Sequence, residues 1–126
     1  MKLSRAMLFF NAAVFFGVAI WCLVDPRGAL SPVGVVTSRP HGATELRAMY
    51  GGLELGVTAY LLACARRPAW HSAGLLLCAL ALLGLGLTRT VAALATGTFN
   101  ELHPLLAATE VGGALVNFWG YRRASR

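Results

Sequence analysis

Four stretches of the chain are apolar for long enough to be membrane helices, with the polar residues gathered mostly between them. Residues 6–24 run 19 positions without a charge, preceded by Lys2 and Arg5 and stopped by Asp25-Pro26. At a rise of 1.5 Å per residue, that length crosses a hydrocarbon core of about 30 Å. A second run covers residues 45–65 and closes on Arg66-Arg67-Pro68, where two charges and a proline end a helix. The third covers residues 70–95. The fourth covers 104–121, with Pro104 suited to a first helical turn and Asn100 and Glu101 just ahead of it. The pattern predicts an all-α fold, a single integral membrane four-helix transmembrane bundle over residues 1–126. A cleaved leader is the rival reading of the first span. No small-x-small pattern precedes Asp25, and Trp21 directly before Cys22 spoils a lipoprotein-type site, so a retained helix is expected.

Composition points the same way. Hydrophobic residues make up 57% of the chain and charged ones 13%, too few to cover the large relative surface of a small soluble domain. Cys22, Cys64 and Cys78 each sit in an apolar run without metal-ligand spacing and read as small hydrophobes. The formal charge is +6. A nucleic-acid partner is not expected, because the basic residues flank apolar segments and do not gather on one soluble face. With four spans, Lys2, Arg5, Arg66, Arg67, Arg122, Arg123 and Arg126 fall on one side, and the loops of the other side hold only Arg27 and Arg39. The positive-inside rule then puts both termini in the cytoplasm. Trp21, Trp70, Trp119 and Tyr121 lie near span ends, as interfacial aromatics do.

Arg47, Glu54, Arg89 and Glu110 fall inside the predicted spans, where a central charge costs about 2.5 to 3.5 kcal/mol on insertion scales. They are therefore expected to face one another or a wet cavity. Arg47, Gly51, Glu54 and Thr58 share one helical stripe, and His103, Glu110 and Asn117 recur by sevens on the fourth span. Helical rise puts Glu54 and Glu110 near the midplane, Arg47 about 10 Å outward of Glu54, and His103 at the outer mouth. Asn11 lies in the other half. Ala48, Gly52 and Gly56 form small-xxx-small steps beside the charged stripe and are expected to pack on a neighbouring helix. The loop of residues 25–44 is either a lid, with Arg39 and His41 turned inward, or a plain solvated connection.

The run from Glu45 to Gly56, ELRAMYGGLELG, is followed by an apolar stretch, two arginines, a span with Arg89 and a last span with Glu110. This arrangement resembles a bacterial family of small four-helix membrane proteins catalogued as domain of unknown function number 4345, over nearly the whole chain. Arg-x-x-Tyr-Gly-Gly, at Arg47 to Gly52, is its most specific piece. The resemblance implies a bacterial integral membrane protein and supplies no catalytic residues.

Three functions fit this pattern. The first is a buried pocket for a lipophilic small molecule, with Glu54 and Glu110 as candidate acid and base for isomerisation or epoxide opening. Arg47, Tyr50, Thr58, Arg89, His103 and Asn117 would then line the ligand. The second is a proton-coupled transporter or channel, working as a homo-oligomer because four short helices make a thin pathway. Small multidrug transporters are similar in length and helix count, but their membrane carboxylate is in the first helix, where this chain has no acidic residue before Asp25. The third is an accessory subunit whose glycine faces dock a membrane-protein partner. No nucleophile motif, phosphate loop, metal cluster or haem-attachment sequence is present, so neither a cofactor nor a metal is expected.

Overall fold

The computed structural model describes every residue except Pro40 and Phe99. Five helices carry the described chain: α1 (Lys2–Val24), α2 (Pro26–Leu30), α3 (Gly42–Arg66), α4 (His71–Thr96) and α5 (His103–Ala124). No strand occurs among the described residues. α1, α3 and the stretch Pro68–Thr96 that contains α4 are long and apolar enough to cross a membrane. α5 has the length, but Glu110, Asn117 and His103 dilute its apolar character, and it is not among those three.

Local chemistry explains where the helices stop. Asp25 ends α1 and starts α2, its Oδ1 accepting the Gly28 N–H at 2.9 Å, while Pro26 fits the first turn of α2, where its missing N–H has no cost. Gly97 closes α4 in the left-handed region, at a φ of 66°, which glycine adopts without steric penalty. α3 is not a uniform helix. Residues Arg47–Gly52 form a π-helical stretch between two α-helical ones, a local widening often found at functional sites.

The long helices associate chiefly as two pairs, α1 with α3 and α4 with α5; contact between α3 and α4 is slight. Glycines let each pair approach closely. A Cβ on Gly51 would lie 2.6 Å from Leu23 of α1, and one on Gly86 would lie 2.8 Å from Val111 of α5. The expected packing stripe of Ala48, Gly52 and Gly56 is instead exposed, and Gly56 has nothing within 4 Å. Gly51, on the charged stripe, takes the packing role because that stripe is the one turned toward α1.

The two pairs meet at one end. Leu8, Leu61, Cys64, Leu75 and Cys78 form a fully buried cluster there. A Cβ on Gly74 would sit 2.7 Å from Leu8 and 2.9 Å from Cys64, and one on Gly120 would sit 2.6 Å from Met7. The N-terminus, the turn between α3 and α4, and the C-terminus therefore share this end. Arg5 stacks over Phe9, Arg67 over Trp70 and Arg123 over Trp119, with 5.5, 4.5 and 4.3 Å from guanidinium carbon to ring centre. Just inside this end, Asn11 Nδ2 donates to Asn117 Oδ1 at 2.9 Å and Asn117 Nδ2 returns a bond to Asn11 Oδ1 at 3.2 Å. Each amide also donates to a carbonyl of its own helix, Met7 and Gly113 respectively.

At the opposite end the first connection is folded down. Leu30 is buried against Cys22 and Leu46, and Asn100 Nδ2 donates to the Pro32 carbonyl at 2.9 Å, tying this segment to the turn before α5. The segment is an anchored cap, and Arg39 and His41 are exposed on it, not turned inward. Pro40, one of the turn formers of the loop, lies outside the described residues.

Two measurements test this packing. In a double-mutant cycle of Asn11→Ala and Asn117→Ala, followed by reversible unfolding in bicelles, the amide pair should show a coupling of about 0.6 to 1.7 kcal/mol; additive effects would remove it as a tie between α1 and α5. Gly74→Ala should destabilise by about 1 to 3 kcal/mol because rigid Cys64 Cβ is in the way, whereas Gly84→Ala, with nothing within 4 Å, should be near neutral.

Candidate functional site

Arg47, Glu54, Arg89 and Glu110 stand in two groups, one on each helix pair. On the α4–α5 pair, Arg89 Nε donates to Glu110 Oε2 at 3.1 Å and Nη2 to Glu110 Oε1 at 2.7 Å. This bidentate fork is the strongest geometry for an arginine with a carboxylate. The side chains retain 25% and 12% of their exposure. Gly86, one turn before Arg89, lets α5 approach closely at Glu110 and Val111, since a Cβ there would lie 3.2 Å from the Glu110 Cβ and 3.3 Å from the Val111 backbone nitrogen.

The second group faces α1. Arg47 lies in the π-helical stretch and its Nε donates to the Leu23 carbonyl at 2.8 Å. That carbonyl belongs to the last turn of α1, where a cation also complements the negative helix end. Glu54 lies further along the same face, within electrostatic range of Cys22 of α1. Its Oε2 is buried and has no hydrogen-bond partner among the described residues. Thr58 is buried and donates its hydroxyl to the Glu54 backbone carbonyl at 2.8 Å, so it supports the turn beneath Glu54.

The physical reason for this split is the pairing of the helices. A stripe on α3 turned toward α1 cannot also face α5, with which α3 makes little contact. Tyr50 sits in the π-helical stretch and is exposed.

The remaining candidates have structural surroundings. Asn117 is engaged by Asn11 and lies toward the opposite end from the charged groups. His103, at the start of α5, accepts the Asn100 N–H through Nδ1 at 3.2 Å, while Asn100 Oδ1 accepts the Leu102 N–H. His103 thus orders the turn that holds the cap through Asn100 and Pro32.

One feature was not singled out from the sequence. Leu80, Ala81, Gly84, Leu85, Thr88, Arg89 and Ala92 form an open, mostly exposed face along α4. Its signal was present as a recurrence of small residues every fourth position, Gly84, Thr88 and Ala92, beside the arginine.

The family model described as "Domain of unknown function (DUF4345)" matches residues 3–121. No curated protein and no solved structure matches the chain.

The ion pair generates a stability prediction. Either Arg89→Leu or Glu110→Leu alone should destabilise by about 3 to 5 kcal/mol, because the surviving charge is stranded, and the double variant should recover most of that loss. Denaturation in detergent micelles measures it; a double variant less stable than either single would show that the two side chains do not act as a pair.

Proposed function

We propose that this chain, which belongs to the DUF4345 family, is a bacterial inner-membrane protein that crosses the bilayer four times, with both termini cytoplasmic, and binds a lipophilic small molecule at a polar centre in its outer half. The observation that carries the reading is the state of its two intramembrane carboxyls. Glu110 is neutralised by Arg89, whereas Glu54 has a buried oxygen without a partner. An unpartnered polar atom in an apolar span is costly and marks a place where a ligand or proton supplies the missing bond.

Roles follow from that difference. Glu54 is the candidate acid-base group, able to pass a proton in an isomerisation or an epoxide opening. Glu110 pairs with Arg89 and orients it, and the N–H groups of Arg89 polarise an oxygen of the ligand. Arg47 and Tyr50, together in the π-helical stretch, border the centre from α3. The cap over the outer end, pinned by Asn100 to Pro32, restricts water entry from that side. The arginine-aromatic stacks at the other end support a cytoplasmic assignment for it by the positive-inside rule.

A second reading, that of a subunit docking a partner helix or a second copy, is supported by the exposed Ala48, Gly52 and Gly56 face of α3, which nothing in this chain covers among the described residues.

Gentle isolation from the native membrane followed by native mass spectrometry separates these readings. A specific lipophilic molecule should accompany the wild type and be lost from a folded Glu54→Gln variant. Retention of that molecule at full occupancy by Glu54→Gln would overturn the role of Glu54, and a bound protein with no small molecule would favour the docking reading.

A further inference from the structure

Three arginines at the end where the termini and the α3–α4 turn meet are seated on aromatic rings. Arg5 and Phe9 are one turn apart on α1, and Trp119 and Arg123 are one turn apart on α5. Arg67 and Trp70 are held in register by the backbone bond from the Trp70 N–H to the Arg67 carbonyl at 2.8 Å. A guanidinium resting on a ring occupies its flat face and leaves its N–H edge free. Among the described residues, the arginine side chains that donate hydrogen bonds are Arg47, Arg66 and Arg89, and none of these three. No carboxylate is at hand either: Asp25, Glu45 and Glu101 lie at the opposite end, and Glu54 and Glu110 lie within the helices. The end thus presents three positioned cations with unused donors and no acidic side chain to meet them.

We propose that Arg5, Arg67 and Arg123 are seats for the phosphates of anionic phospholipids. The proposal rests on the bilayer-spanning part of the reading above and not on the ligand beside Glu54. Depth selects a lipid. Phe9 and Trp119 lie inside the long helices, and each carries its arginine one turn nearer the chain end, so the cations stand at the boundary between hydrocarbon and headgroups, the level that aromatic residues hold in a bilayer. A phosphate at that level belongs to a lipid. Charge selects an anionic one, because a zwitterionic headgroup brings its own cation to an end that has no acidic side chain for it. Geometry agrees, since the free edge of a guanidinium takes two phosphate oxygens at once. Beside these seats Leu3, Phe10 and Phe118 keep 49%, 70% and 45% of their exposure, an apolar surface for the acyl chains of the same lipids.

Native mass spectrometry of the full chain from mixed micelles tests the proposal. Phosphatidylglycerol and phosphatidylcholine with the same acyl chains compete for the protein, and the ratio of the two lipids bound is read. Wild type should favour the anionic lipid about fivefold or more, the ratio that about 1 kcal/mol for one basic residue near a membrane surface produces. The triple variant Arg5→Gln, Arg67→Gln, Arg123→Gln should bring the ratio near one. A matched triple, Lys2→Gln, Arg122→Gln, Arg126→Gln, removes the same charge from exposed residues that rest on no ring among the described residues, and should keep the ratio to within about twofold of wild type. Arg123→Gln against Arg126→Gln repeats the comparison with single exposed side chains outside the buried cluster, which serves where a triple variant does not fold. An equal ratio for the two lipids in wild type would overturn the proposal. Equal losses in the matched variants would overturn it by reducing this end to diffuse positive charge, and displacement of the lipid by inorganic phosphate at constant ionic strength would overturn it by making the occupant a soluble anion. A chain that does not enter lipid vesicles would remove it together with the spanning reading.

Discussion

The structure turns on how two helix pairs, each built by close approach at glycine, are joined at one end by a reciprocal amide pair. Asn11 and Asn117 retain only 8% and 4% of their exposure, and each satisfies the other while anchoring to its own helix. In an apolar surrounding two such groups have strong reason to find one another. Leu8, Cys64, Gly74 and Gly120 pack around the same level, so the polar tie and the tightest packing coincide. Toward the other end, contact between α3 and the α4–α5 pair is slight. It is there that Arg47, Glu54, Arg89 and Glu110 lie.

This geometry divides labour among the charges. Arg89 and Glu110 are held within one pair, and Arg47 and Glu54 within the other. Arg47 is drawn to the carbonyl end of α1, a favourable position for a cation, and so does not neutralise Glu54. The result is a paired carboxyl on one helix pair and an unmatched one on the other. The π-helical stretch contributes to this arrangement by setting the register of Arg47, Tyr50 and Gly51 relative to Glu54.

Much of this was legible in the chain. The charges inside apolar runs stood out by type alone, and the common face of Arg47, Gly51 and Glu54 followed from periodicity. Their partners did not. Small-xxx-small spacing pointed to Ala48, Gly52 and Gly56 as a packing face, but Gly51 is the residue against α1. The spacing finds glycines on a face without telling which face meets a neighbour. Similarly, the seven-residue recurrence that joined His103, Glu110 and Asn117 placed them along α5 correctly, yet each serves a different neighbour: the outer turn, Arg89 and Asn11.

By itself the sequence determined that the protein is helical, that α1, α3 and α4 are apolar enough to cross a membrane, and that two arginines and two glutamates fall inside its apolar runs. Hydropathy, helix stop signals and residue type are local properties, read within a few turns of one segment. The tertiary structure alone decided which carboxyl is paired, which glycine admits a neighbour, and which helix each charge turns toward. Those depend on the rotation of each helix about its axis and on which helices touch, and such choices involve residues separated by most of the chain, as Asn11 is from Asn117.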